Sequence, residues 1–154
     1  MELKEATIDD IPLVRALFID YQKWLGVDLC FQQFEEELAT LPGLYAPPKG
    51  VIYIAFENKE AVGCACVRPH TGDEAELKRL YVQHSSRGRG IGKALFRRAM
   101  SKAKEIGYSS IVLDTLPIMK AAKRLYLAYG FKPIRPYYHN PIQGAEYYRF
   151  SYVK

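Results

Sequence analysis

Ser86-Arg87-Gly88-Arg89-Gly90-Ile91-Gly92-Lys93 joins an apolar alternating run, Leu77 to Val82, to a helical pattern from about Gly90 to Ile106. Strand, glycine-rich turn and helix in that order present free backbone N–H groups to an anion. The first turn of a helix has N–H groups without intrahelical partners, and the macrodipole adds partial positive charge there. Gly88, Gly90 and Gly92 let the backbone approach an anion with no Cβ in the way. Arg87, Arg89 and Lys93 add formal charge around the same turn. The segment reads as a pyrophosphate cradle.

Two common cradles do not fit. A nucleotide P-loop needs G-x-x-x-x-G-K-[ST]. Here Gly92-Lys93 is followed by Ala94, and the first glycine position is Arg87. A dinucleotide fingerprint needs G-x-G-x-x-G, and from Gly88 or Gly90 its last position is Lys93 or Leu95. The pattern present is R-x-x-G-x-G, Arg87 through Gly92. It resembles the coenzyme A loop of the GNAT family of N-acetyltransferases. Glu76 to Val82 is similar to that family's fourth strand, and Ala121 to Phe131, with Tyr126 and the terminal Gly130-Phe131, to its late helix. The similarity is close from about Asp73 to Pro133 and looser outside.

Composition bounds the alternatives. At 154 residues the chain, 1–154, makes a single domain with a sizeable core. Hydrophobic residues are 49% and charged residues 25%, as in soluble globular proteins. No apolar run approaches a membrane span, and Met1 to Asp10 is too acidic for a signal peptide. Cys64 and Cys66 share one strand face, and no second cysteine pair or histidine cluster completes a metal site, so both read as small core residues. A reducing cytoplasm is the expected compartment. The net charge of +5 concentrates between Lys78 and Lys132, where an anionic cofactor accounts for it, and no nucleic-acid or membrane partner is expected.

Leu3 to Ala6 reads as a first strand. Asp10 can cap a helix carrying Ile11, Val14, Phe18, Tyr21 and Leu25 on one face, stopped by Gly26. A second amphipathic helix is expected from about Phe31 to Leu41. Val51 to Phe56 and Ala61 to Val67 suggest an antiparallel hairpin, with a turn at Pro69 to Gly72. Glu74 to Val82 is the strand before the glycine loop. Ile91, Leu95, Ala99, Ala103 and Ile106 give the next helix its core face, and Gly107 ends it. Ser109 to Leu113 reads as a buried central strand. A helix from Thr115-Leu116-Pro117 to Gly130 follows, its apolar face Ile118, Ala121, Ala122, Leu125 and Tyr129. Phe131 to Ile134 and Ala145 to Val153 are the last strands. This order is α/β with mixed strand directions, about seven strands and about four helices. It matches the GNAT order, which implies that the fourth and fifth strands run parallel and splay, with the pantetheine arm of acetyl-CoA between them.

Acetyl transfer from a thioester to an amine needs a base, because an alkylammonium has a pKa of about 10. It needs an N–H donor where the thioester oxygen gains charge, and an acid for the departing sulfur. Glu76 is the candidate base, eleven positions before Arg87, as in some family members; the plainer reading pairs it outward with Arg79 or Lys78. His84 is a second candidate base. Tyr126 is the candidate acid, at the family position beside the coenzyme sulfur; the plainer reading is a core tyrosine. The resemblance implies backbone contacts from Leu80, Tyr81 and Val82 to the pantetheine arm. It implies that Arg87, Gly88, Arg89, Gly90, Ile91, Gly92 and Lys93 hold the pyrophosphate. Many members carry an asparagine after the fifth strand. Here Asp114-Thr115 stands there, and Thr115 could bond the coenzyme whereas Asp114 would put negative charge near an anion. Tyr137-Tyr138-His139-Asn140-Pro141 is an aromatic, polar loop suited to lining an acceptor pocket for a cationic or amphipathic amine. The expectation is an acetyl-CoA-dependent N-acetyltransferase without a metal, acting on a small amine, amino acid or peptide. A non-catalytic coenzyme A-binding module of the same fold is the alternative, and dimerisation through late strands is compatible with either.

Overall fold

In a computed structural model that describes residues 1–152, the chain runs β1 (Glu2–Glu5), α1 (Ile11–Leu25), α2 (Phe34–Thr40), β2 (Val51–Glu57), β3 (Glu60–Thr71), β4 (Glu74–Val82), α3 (Ile91–Ile106), β5 (Ser110–Thr115), α4 (Lys120–Tyr129), β6 (Lys132–Pro133) and β7 (Glu146–Ser151). One mixed sheet of seven strands has the order β1-β2-β3-β4-β5-β7-β6. Short turns make β2, β3 and β4 antiparallel neighbours, β1 pairs antiparallel with β2 after the connection through α1 and α2, and the α3 crossover makes β4 and β5 parallel. In the β2–β3 turn Asn58 and Lys59 both adopt positive φ, 50° and 69°, matching the twist of a tight hairpin.

Alternation along the strands sorts two cores. Val51, Tyr53 and Ala55 of β2 face one side and pack with Leu95, Ala99 and Met100 of α3. Ile52 and Ile54 face the other, with Val14, Leu17 and Phe18 of α1. With both faces covered, β2 and β3 read as nearly continuous apolar runs rather than alternating ones. Cys64 and Cys66 are fully buried beside Phe18 in the second cluster. Leu95 is fully enclosed in the first, where truncation to alanine costs about 2–5 kcal/mol. Among the described residues no helix is long and apolar enough to cross a membrane.

Several boundaries differ from expectation. Asp10 does not cap α1; its carboxylate accepts from the Thr7 amide at 2.8 Å and pairs with Lys4, closing a short 3-10 turn ahead of the helix. The expected helix from Phe31 to Leu41 is split. A 3-10 turn, Cys30–Gln32, precedes α2, and Gln33 between them has a left-handed φ of 57°. Strand β3 runs on through Pro69 to Thr71, and β5 reaches Thr115. Helix α4 begins at Lys120 instead of near Thr115. Ile118 and Tyr129, expected on its core face, are substantially exposed, and Tyr126 is its buried residue. Val153, at the end of the expected last strand, lies outside the described residues.

Candidate active site

Strands β4 and β5 pair at only three positions, Glu74 with Ser110, Ala75 with Ile111 and Glu76 with Val112. Beyond them β4 continues to Val82 beside β3, and β5 continues to Thr115 beside β7. The two parallel strands therefore open into a V from Leu77 and Leu113 onward. Backbone groups on the facing edges have no ladder partner across the gap and suit an extended, amide-bearing ligand.

At the mouth of the V lies a cleft of about 510 Å³, bordered by Leu80, Tyr81, Val82, Arg87, Gly88, Gly90, Ile91, Gly92 and Lys93, and by Ile118 to Ala122 opposite. The glycine loop takes its shape from Gly88 and Gly90, with φ of 81° and 80°, where a Cβ would be strained and would project into open space. Among the described residues no side chain caps α3, and its first turn holds no acidic residue. Its first amides are thus left to whatever fills the cleft. Arg87 is fixed from below: its Nε donates to the Val82 carbonyl at 2.8 Å and its guanidinium stacks 4.5 Å from the Trp24 ring centre. Two expected contacts fall elsewhere. The Arg89 guanidinium turns away and pairs with Glu57 at 2.6 Å. Thr115 is buried, donates to Met119 Sδ at 3.4 Å and does not border the cleft.

Deeper in the V, a chamber of about 20 Å³, room for one water, is bordered by Lys78, Arg79, Leu80, Asp114, Met119, Tyr126, Gln32 and Asn140. Leu80 and Met119 border both spaces and form the passage between them. The Tyr126 ring packs against Phe96 and Phe131, and its hydroxyl has no partner among the described residues. Burial, with Tyr21 and Asp114 nearby, pushes that hydroxyl well above the ordinary tyrosine range, so it keeps its proton. Asp114 Oδ2 accepts from the Tyr138 hydroxyl and from Asn140 Nδ2, the latter at 2.9 Å. The aromatic loop expected near the acceptor thus closes this chamber.

Glu76 sits otherwise than expected. It is buried and borders neither the cleft nor the chamber. Its partners are not Arg79 and only distantly Lys78, at 3.9 Å. Arg68 holds Oε1, with contacts of 2.9 and 3.0 Å, and the Tyr137 hydroxyl donates to Oε2 at 2.6 Å. Burial alone would raise its pKa, but Lys78, Arg68 and the Tyr137 hydrogen bond together hold it below the usual carboxylate value. A carboxylate so engaged takes a proton poorly. His84 is exposed in a 3-10 turn and borders neither space. The residues that sequence reasoning left without a role are Trp24, Gln32, Lys78 and Met119. Trp24, Gln32 and Lys78 carry no local signal, because they gain their places through contacts with distant segments. Asp114 had a signal, its position near the end of the fifth strand, but it borders the chamber rather than the cleft at the glycine loop.

A splayed parallel pair with an uncapped, glycine-lined helix start at its mouth is the architecture of an acyl-coenzyme A-binding transferase. The profile of the "Acetyltransferase (GNAT) family" matches residues 14–131. An uncharacterised N-acetyltransferase of Schizosaccharomyces pombe is 41% identical over 147 residues, covering 94% of this chain and 90% of that protein. N-acetylaspartate synthetase of Rattus norvegicus is 35% identical over 99 residues, which are 64% of this chain and a third (33%) of that protein. The PaiA N-acetyltransferase of Thermoplasma acidophilum, solved in complex with coenzyme A, shares the fold, with a TM-score of 0.73 at 18% identity over 98% of each chain. The chain belongs to the GNAT family of acetyltransferases.

Proposed function

We propose that this chain is an N-acetyltransferase that moves the acetyl group of acetyl-CoA to the primary amine of a small acceptor, both bound at once. The observation that carries this reading is the continuity of the two spaces: an anion-binding cleft meets, across Leu80 and Met119, a chamber walled by a protonated phenol and a carboxylate. The fit to the coenzyme rests on the uncapped start of α3, the open side of Gly88 and Gly90, and the cations Arg87 and Lys93. Acetyl-CoA, when bound, supplies an activated acetyl group and a thiol leaving group.

The chain's own residues divide the work. Gly88 to Lys93 hold the pyrophosphate through backbone N–H groups, and Trp24 keeps the Arg87 guanidinium beside them. The edges of β4 from Leu80 to Val82 align the pantetheine arm. Tyr126 holds a proton at its Oη for the departing sulfur. Asp114, facing the chamber, accepts the amine proton through the water that the chamber has room for. Glu76 fixes Arg68 and Tyr137 and thereby the aromatic loop, a positioning task in place of the base expected from its sequence position. Similarity to N-acetylaspartate synthetase favours an amino acid acceptor over a peptide, as does the small size of the chamber.

Isothermal titration with acetyl-CoA tests the reading, with dephospho-CoA and ATP as controls. Saturable binding that Gly90→Glu abolishes is the expected result. Folded protein that binds no acetyl-CoA would refute the enzyme reading at its root.

A further inference from the structure

Two consecutive basic side chains leave β4 on the same side. In a regular strand, neighbours point to opposite faces of the sheet. Here Cys64 pairs with Tyr81 but Cys66 with Lys78, so β4 carries one extra residue against β3. Arg79 takes the extra position with a left-handed φ of 59°. The bulge turns Lys78 and Arg79 together, and both converge on one atom: Gln32 Oε1 accepts from Lys78 Nζ at 3.1 Å and from Arg79 Nη1 at 2.7 Å. Both cations are buried, 5% and 3% exposed.

The charge at this point is incompletely answered. Arg79 gives its Nε and Nη2 to Glu37, at 3.0 and 2.9 Å, leaving Nη1 directed at Gln32. Lys78 has Glu76 only at 3.9 Å, beyond hydrogen-bond reach, and that carboxylate already serves Arg68 and Tyr137. Burial, then the Arg79 charge, pushes the Lys78 ammonium below the ordinary lysine range despite Glu76 and Asp114. Buried cations ordinarily meet an anion. Two of them sharing one neutral amide oxygen is an arrangement that a carboxylate oxygen would satisfy better, by two charge-assisted bonds.

Gln32 is also placed to give way. It ends the short Cys30–Gln32 turn, is half-buried, and borders both the chamber and an outer pocket of about 280 Å³ lined by Glu36, Thr40, Tyr45 and Arg68 among others. Tyr45, on that pocket's wall, has a buried hydroxyl without a hydrogen-bond partner among the described residues. Swinging Gln32 aside would join the two spaces and free Lys78 Nζ and Arg79 Nη1, while Glu37 keeps the rest of the Arg79 guanidinium in place.

We propose that Lys78 and Arg79 form the carboxylate subsite of the acceptor site, with the Gln32 amide holding the place of the carboxylate, so that the acceptor is a small molecule carrying both an amine and a carboxylate. With the carboxylate there, the amine lies toward the wall that bears Asp114 and Tyr126. This deepens the acetyl-transfer reading and rests on it.

The test uses Gln32→Glu, Lys78→Met and Lys78→Arg in the full chain, with amino acids set against their α-amides and β-alanine against propylamine, following coenzyme A thiol release. Wild type should prefer the carboxylate-bearing member of a pair by about 100-fold or more in kcat/KM. Lys78→Met should cut that preference to a few-fold through KM, with acetyl-CoA affinity unchanged by titration, and Lys78→Arg should restore part of it. Gln32→Glu, which places a carboxylate permanently on the two cations, should raise Tm whatever the substrate and raise KM for amino carboxylates. A Tm for Gln32→Glu at or below wild type would overturn the inference, as would a carboxylate preference that survives Lys78→Met. Acetyl-CoA binding together with turnover of amines lacking a carboxylate would sink this inference alone; absence of acetyl-CoA binding would sink the reading beneath it.

Discussion

Tyr126 carries a buried hydroxyl with no hydrogen-bond partner among the described residues, its ring fixed by Phe96 and Phe131. Removing a hydroxyl that bonds none of the described residues costs the fold little. Tyr126→Phe should therefore keep the wild-type Tm while lowering kcat roughly 10²–10⁴-fold, the usual contribution of a positioned acid. An unchanged kcat in steady-state assay would remove Tyr126 from the chemistry. Glu76 makes the opposite prediction. Its folded pKa lies below the ordinary 4.5, so between those two values the unfolded chain binds a proton that the folded chain does not. Stability from Glu76 is complete above about 4.5 and is lost as pH falls further, through the folded value. Melts at a series of pH values should show Glu76→Gln less stable than wild type at pH 7, because Arg68 loses its partner, with the gap closing below about 4.5. In the steady-state assay Asp114→Asn should lower kcat more than Glu76→Gln, since Asp114 alone of the two borders the chamber.

At the scale of elements, the glycine loop and α3 act as one unit. The helix start is left without a side-chain cap, and Trp24 from α1 reaches across to hold Arg87. Trp24→Ala should thus weaken acetyl-CoA binding although its indole lies outside the R-x-x-G-x-G motif. A loss of about tenfold in affinity, or about 1.4 kcal/mol, is expected in titration, with α-helical content by circular dichroism unchanged. The split of the expected Phe31 to Leu41 helix belongs to this scale too. An unbroken helix would place Gln32 by helical spacing alone. The left-handed Gln33 ends the turn and frees Gln32 to bond Lys78, Arg79 and Tyr138 at once. Helical periodicity reports where apolar residues recur, and it carries no mark of a break that tertiary hydrogen bonds enforce.

The whole molecule is a sheet in two parts, β1 to β4 and β5-β7-β6, joined across the V by three paired positions. A ligand bound in the gap ties the parts together. At a hundredfold excess over its Kd, acetyl-CoA should stabilise the fold by about 2.7 kcal/mol. For a chain of this size that is roughly 5–10 °C in Tm by calorimetry. Backbone amides of Leu80 to Val82 should gain hydrogen-exchange protection beyond that global shift, because their open edge acquires partners. An equal gain at every amide would argue against binding in the V.

Strand, glycine turn and helix were legible from residues 77–106 alone, because alternation, φ-permissive glycines and helical spacing are local properties that a short window contains. The order of elements followed from the same patterns, and with it the mixed sheet and the glycine-lined start of α3. The chamber was not legible. Gln32 meets Lys78 and Arg79 across 46 and 47 positions, and Asp114 meets Tyr138 and Asn140 across 24 and 26. The positive φ of Arg79 violates its local preference and persists through the paired bonds to Glu37 and the packing around a buried guanidinium. The tie of Glu76 to Tyr137, 61 positions on, and the turning away of Arg89 toward Glu57, 32 positions back, were likewise decided by partners far along the chain. Local sequence dictates which elements form and where an anion can bind, whereas the direction in which each charged side chain points is set by which distant partner neutralises its charge once the core has closed.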